Sequence, residues 1–234
     1  MTDTPYLLRF FQVVPPVPPL IVATFVAVTG VASLAVATSP GRARGALAPV
    51  LLLQLFTASS GFAVPARRGH YDLLLTRGTS RLRVTLAHWV TTIAPGIFSW
   101  LVLAVVERLA AGDGAVLLAS GTLAAIFMVS TLPWALTIAL PRFSGGIGWL
   151  LLLVTMGTTF AEGVFAEWTV TSTRVEALVW PAWVFLIYPL GAVGESLGPP
   201  QLLAVAPGIT LAAAAMAIAC HWAAHSDIPL SAAQ

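Results

Sequence analysis

Apolar residues run through this chain in long stretches separated by short polar ones, and the stretches are long enough to be read as membrane-crossing helices. A helix needs about 20 consecutive apolar residues to cross roughly 30 Å of hydrocarbon. Six spans are expected on this basis, at about 20–38, 46–64, 84–106, 115–140, 147–162 and 201–221. Prolines and glycines interrupt several of them, as Pro95, Gly96 and Pro133 do. Such interruptions are tolerated in a membrane helix where neighbouring helices satisfy the freed backbone. Between the fifth and sixth spans the pattern breaks. A polar part with Glu167, Arg174 and Glu176 leads into an apolar segment at 177–194, divided by Pro181 and Pro189 into pieces too short to cross. Trp180, Trp183 and Tyr188 suit a membrane interface, so this segment reads as a re-entrant hairpin. The expected fold is all-α: a polytopic integral membrane bundle of about six transmembrane helices in a single domain.

Composition sharpens this picture. Only 9% of the 234 residues are charged and 58% are hydrophobic, whereas soluble domains carry roughly 25% charged residues. The mean hydropathy is +0.92. All 11 basic residues are arginine. Without lysine, the phosphate-binding loop GxxxxGK[ST] and the SxxK nucleophile arrangement are excluded, so any use of ATP falls to another chain. The arginines are scattered over span-flanking loops and the net charge is only +2, which speaks against a nucleic-acid partner. Cys220, the single cysteine, excludes an intrachain disulfide and a clustered-cysteine metal site.

Arginine counting orients the bundle. With the N-terminus inside, Arg9, Arg67, Arg68, Arg77, Arg81, Arg83 and Arg142 fall on the inner side and Arg42, Arg44, Arg108 and Arg174 on the outer. The densest cluster follows the second span. Read as a helix, 67–77 places Tyr71, Leu74 and Leu75 on one face, with Arg68, Asp72 and Thr76 mainly on the other. Such a helix lies along the membrane surface.

The run Arg67-Arg68-Gly69-His70-Tyr71-Asp72-Leu73-Leu74-Leu75-Thr76-Arg77-Gly78-Thr79-Ser80-Arg81 resembles the coupling helix of permease subunits in type-two ABC exporters. That family's pattern is approximately Glu-Arg-x-x-Gly-Thr-hydrophobic-x-x-Leu-Leu-x-x-Pro-x-Ser-Arg. Gly69, Leu73, Leu74, Ser80 and Arg81 match it in kind and order. Ala66 and Arg67 stand where an acidic residue is usual, and the proline before the Ser-Arg pair is absent. The resemblance implies that Arg68, Gly69, Tyr71, Asp72, Leu73, Leu74, Leu75, Ser80 and Arg81 seat against a separate ATP-binding subunit. ATP and Mg would then belong to that partner, with no cofactor in this chain. It also implies a second permease copy or a related permease, and residence in the bacterial inner (plasma) membrane with both termini cytoplasmic. The alternative classes are an ATP-independent carrier and a membrane-embedded enzyme.

Other polar positions admit two readings. Gln54 lies midway along the second span with Thr57 a turn beyond, a polar edge that either lines a substrate path or binds a neighbouring helix. Glu162, at the outer end of the fifth span, is either part of that path or solvated at the interface. His221 and His225 are spaced i, i+4, but two histidines make a poor metal site, and they read as an interfacial helix end. No HExxH or paired-acid arrangement occurs.

Six spans with a re-entrant 177–194 place the tail on the same side as the 62–79 connection. In a Cys220-free background, single cysteines at Ser226 and Thr79 should both resist an impermeant thiol reagent in intact cells. Labelling of Ser226 alone would establish a seventh crossing.

Overall fold

A computed structural model describes residues 17–39, 43–61, 80–112, 117, 120–140, 146–150 and 202–225. Among them the regular elements are all helical and no strand occurs. The order is α1 (Pro19–Thr38), α2 (Ala43–Gly61), α3 (Arg81–Ala111), α4 (Ser120–Ala139) and α5 (Leu202–His225). Residues 146–150 add a short helical stretch. The expected coupling helix at 67–77, most of the fifth span and the hairpin at 177–194 lie outside the described residues.

Helices α1 and α3 are long and apolar enough to cross a membrane. The apolar stretches Gly45–Ser60 and Ala125–Ala139 are shorter. Local chemistry sets the helix ends. Pro19 opens α1 at its first position, where the missing N–H costs nothing, and the Pro18 carbonyl accepts from the Ile21 and Val22 N–H groups. Ser80 caps α3 by accepting from the Arg83 N–H at 3.4 Å. Gly112 ends the same helix at φ 59°, a backbone setting that favours glycine. These two residues carry α3 past both ends of the 84–106 span. At 31 residues it is about 46 Å long.

The helices pack as a bundle in which α3 touches every other described helix and α4 makes its broadest contact with α5. On α1 a single stripe faces inward, Phe25, Thr29, Ala32 and Val36, while Leu20 at 78% and Leu34 at 70% are open to the outside. Alanines 212, 219 and 223 of α5 are buried, and such small residues permit close approach to α4. Ala219 joins Trp134 and Ile138 in one apolar cluster.

Large apolar side chains occupy the outer surface as well as the core. Large apolar side chains such as Phe98, Leu109, Leu150 and Ile218 project outward, whereas Gln54, His88, Thr92, Ser99, Glu107 and Thr137 are buried. The hydroxyls of Thr85, Ser130 and Thr137 bond back to carbonyls three or four residues earlier, the usual way a helix absorbs Ser and Thr. Others tie helices together: the Thr29 hydroxyl of α1 donates to the Ser99 hydroxyl of α3 at 2.7 Å.

Glu107 holds the chain beyond α3. Its Oε2 accepts from the Leu117 N–H at 2.7 Å, and the Trp100 indole N–H donates to the Leu117 carbonyl at 2.8 Å. Residues 100 and 107 lie two turns apart on one helix face, so Leu117 is gripped at both backbone groups. Glu107→Leu should cost about 1–3 kcal/mol, the range for leaving a buried N–H without its acceptor. That corresponds to a fall of about 2–12 °C in the Tm of the purified protein. Glu107→Gln retains an acceptor oxygen and should lose less than half as much; an equal loss in thermal unfolding would rule out this contact as the cause.

Candidate functional site

The densest group of buried polar side chains lies where α2, α3 and α4 meet. It begins with Gln54, set among the leucines of α2 and wholly enclosed. Its Nε2 donates to the Thr92 carbonyl of α3 at 2.9 Å. The Thr92 hydroxyl in turn donates to the His88 carbonyl at 2.8 Å and lies 3.3 Å from His88 Nδ1. From α4 the Trp134 indole N–H donates to the same Nδ1 at 3.3 Å. Gln54, His88 and Trp134 each have 0% of their surface exposed and Thr92 has 1%. One continuous chain of contacts thus joins three helices. Beside it, the Trp89 indole N–H donates to the Thr131 hydroxyl at 3.2 Å, a second tie between α3 and α4.

The chemistry of the donors fixes the histidine tautomer. An indole N–H can only donate, so Nδ1 of His88 accepts and the ring proton resides on Nε2. One atom of the group is left over: Gln54 Oε1 is buried and has no hydrogen-bond partner. It lies against Gly96, where a Cβ would stand only 2.6 Å from it.

A second feature is an apolar groove of about 640 Å³ between α1 and α3. Phe25, Val26 and Gly30 line one wall and Pro95, Phe98 and Val102 the other, with the Thr29–Ser99 pair among the lining residues. The volume is in the range of small-molecule pockets. Gly30 leaves the groove open, because nothing lies within 4 Å of where its Cβ would be.

Of the residues expected to form the substrate path, Gln54 is enclosed between α2 and α3 and bonded to an α3 carbonyl. The Thr57 hydroxyl donates to the Leu53 carbonyl of its own helix at 2.8 Å. Neither lines the α1–α3 groove. Glu162 is outside the described residues, as are Arg68, Gly69, Tyr71, Asp72, Leu73, Leu74 and Leu75 of the coupling segment. Its last two residues, Ser80 and Arg81, form the cap and first turn of α3. His221 and His225 stack with ring centroids 4.4 Å apart at an exposed helix end. Among the described residues no three His, Cys, Asp or Glu side chains gather as a metal site would require.

The sequence did not single out His88, Trp134 or Glu107. Glu107 had one legible signal, a carboxylate directly following a 23-residue apolar run interrupted only by polar Thr, His and Ser. His88 and Trp134 are 46 positions apart, and nothing in either helix's own pattern announces that they meet.

The tautomer is measurable. Nitrogen-15 NMR of the labelled protein should show His88 protonated on Nε2 and unprotonated on Nδ1. Trp134→Phe, which removes the Nδ1 donor, should cost about 1–2 kcal/mol in thermal unfolding; an Nδ1–H resonance in the unaltered protein would contradict the network. Compared with protein-family models, curated proteins and solved structures, the chain matches none, so what it does has to be read from its own residues.

Proposed function

We propose that this chain is the membrane-spanning permease subunit of an ATP-driven exporter of the type-two ABC kind. The observation that carries this reading is the run from Arg67 to Arg81, which joins two apolar helices and resembles that family's coupling segment. The described helices supply its setting. The run leads into α3 through the Ser80 cap, and α2 ends just before it. Apolar side chains face outward over α1 and α3 while polar ones are enclosed, which is the arrangement a hydrocarbon solvent favours. The chain crosses the bacterial inner membrane six times, with both termini cytoplasmic. It pairs with a second copy or a related permease, and an ATPase subunit seats on Tyr71, Leu74 and Leu75. This subunit performs no catalysis: it forms the path and moves as the ATPase closes.

Two measurements test the proposal. The purified chain alone should neither bind nor hydrolyse ATP, since it lacks the phosphate loop and any lysine; micromolar nucleotide binding would overturn it. In a strain that also makes the exporter's ATPase subunit, Leu74→Asp with Leu75→Asp should weaken the complex at least about a hundredfold. Each buried leucine contributes about 1.5–3 kcal/mol. Membrane insertion, set by the spans, should be unchanged. A double variant that keeps wild-type ATPase association and export would favour an ATP-independent carrier.

A further inference from the structure

Helix α3 has a built-in weak point. Pro95 offers no N–H, so the Thr91 carbonyl loses its helical donor and the helix can bend there. Gly96 follows, and the side chain facing it is the Gln54 amide of α2. A Cβ at position 96 would lie 2.6 Å from Gln54 Oε1, 2.9 Å from Cδ and 3.2 Å from Cγ, so the amide occupies the space that only glycine leaves. From that position Nε2 holds the Thr92 carbonyl, three residues before the proline. The other half of the amide, Oε1, is enclosed and unpartnered. A buried acceptor without a donor penalises the arrangement that contains it. The hold on α3 is therefore opposed by a penalty carried on the same side chain.

We propose that Gln54 is a latch on the Pro95–Gly96 step of α3, holding α2 and α3 together in one state and releasing them in a second, where its carbonyl gains a donor. Opposed terms of overlapping size are what a two-state element requires: the net gain of one hydrogen bond corresponds to about a two- to twelvefold shift in an equilibrium, and the burial of one orphan acceptor to about a five- to 150-fold shift. Both states are then populated. The motion is delivered to the ends of α2 and α3 that the 62–79 connection joins. Gln54 is seven residues, about 10 Å, from the last residue of α2, and Thr92 is about 16 Å from the first of α3. The latch operates on this pair of helices whatever partner the connection meets.

Spin labels at Ser60→Cys and Leu82→Cys, in the full chain with Cys220→Ala, report the separation of those ends by pulsed electron resonance. The unaltered latch should give two distance populations. Gly96→Ala displaces the amide without meeting backbone and should shift the populations at least about fivefold toward the longer distance. Gln54→Met removes the donor and the orphan together, two opposed contributions, so it should shift the balance less than Gly96→Ala does. An unshifted distribution in Gly96→Ala, or a shift toward the longer distance in Gln54→Met as large as that in Gly96→Ala, would overturn the proposal. Should Gly96→Ala fail to fold, the unaltered chain decides, since a single distance population there would overturn the proposal as well. Val90→Met, on the exposed face of α3, should leave the distribution unchanged.

Discussion

A polar group enclosed among apolar helices has no water to turn to, and in this chain that constraint is concentrated on α3. His88 and Thr92 meet Trp134 and Gln54, Ser99 meets Thr29, and Trp100 and Glu107 grip Leu117. One helix therefore has a polar tie to α1, to α2, to α4 and to the chain just past its own end. Side-chain pairs of this kind contribute modestly, on average on the order of 0.6 kcal/mol and at most about 1.7 kcal/mol where they have been separated in a membrane bundle. Their effect is chiefly geometric. A slip of α3 along its axis would leave several buried donors without acceptors at once, so the ties fix a register that apolar packing alone leaves loose.

Proline works against that rigidity. Pro49, Pro95 and Pro133 each lie inside a helix, and each deprives a carbonyl one turn earlier of its donor. At Pro95 the neighbouring helix supplies a donor to the next carbonyl through Gln54. The side chain that made α2 look polar at its middle is thus bound to the part of α3 least able to hold itself straight. Under the exporter reading, α2 and α3 also flank the segment on which an ATPase pushes. A step in α3 that can bend, and that one amide bonds, is a place where such a push can be converted into helix movement.

Much of the helical pattern was legible because hydropathy alone dictates it: the apolar runs coincide broadly with α1, α2, α3, α4 and α5. The ends were less legible. The 84–106 span stops short of Ser80 and Gly112, because capping is local chemistry that an apolar count ignores. Gln54 stood out as the one amide amid leucines, and the choice between path and helix contact needed the partner's identity, the Thr92 carbonyl. The polar cluster was out of reach for a different reason. His88 and Trp134 each look ordinary in their own helix, and only the packing of α3 on α4 makes a donor and an acceptor of them. Glu107 was hidden by the placement of a span boundary at 106, one residue short of it, although it is 1% exposed.

The functional account depends most directly on where Leu74 sits in the working assembly. A photo-activatable amino acid incorporated at Leu74 in intact cells, followed by mass spectrometry of the adduct, reads that contact without disrupting it. The account predicts an adduct to a protein that carries the GxxxxGK[ST] phosphate loop this chain lacks, lost when Leu75 is changed to Asp. An adduct to lipid alone, with no ATP-binding protein captured under export conditions, would contradict it.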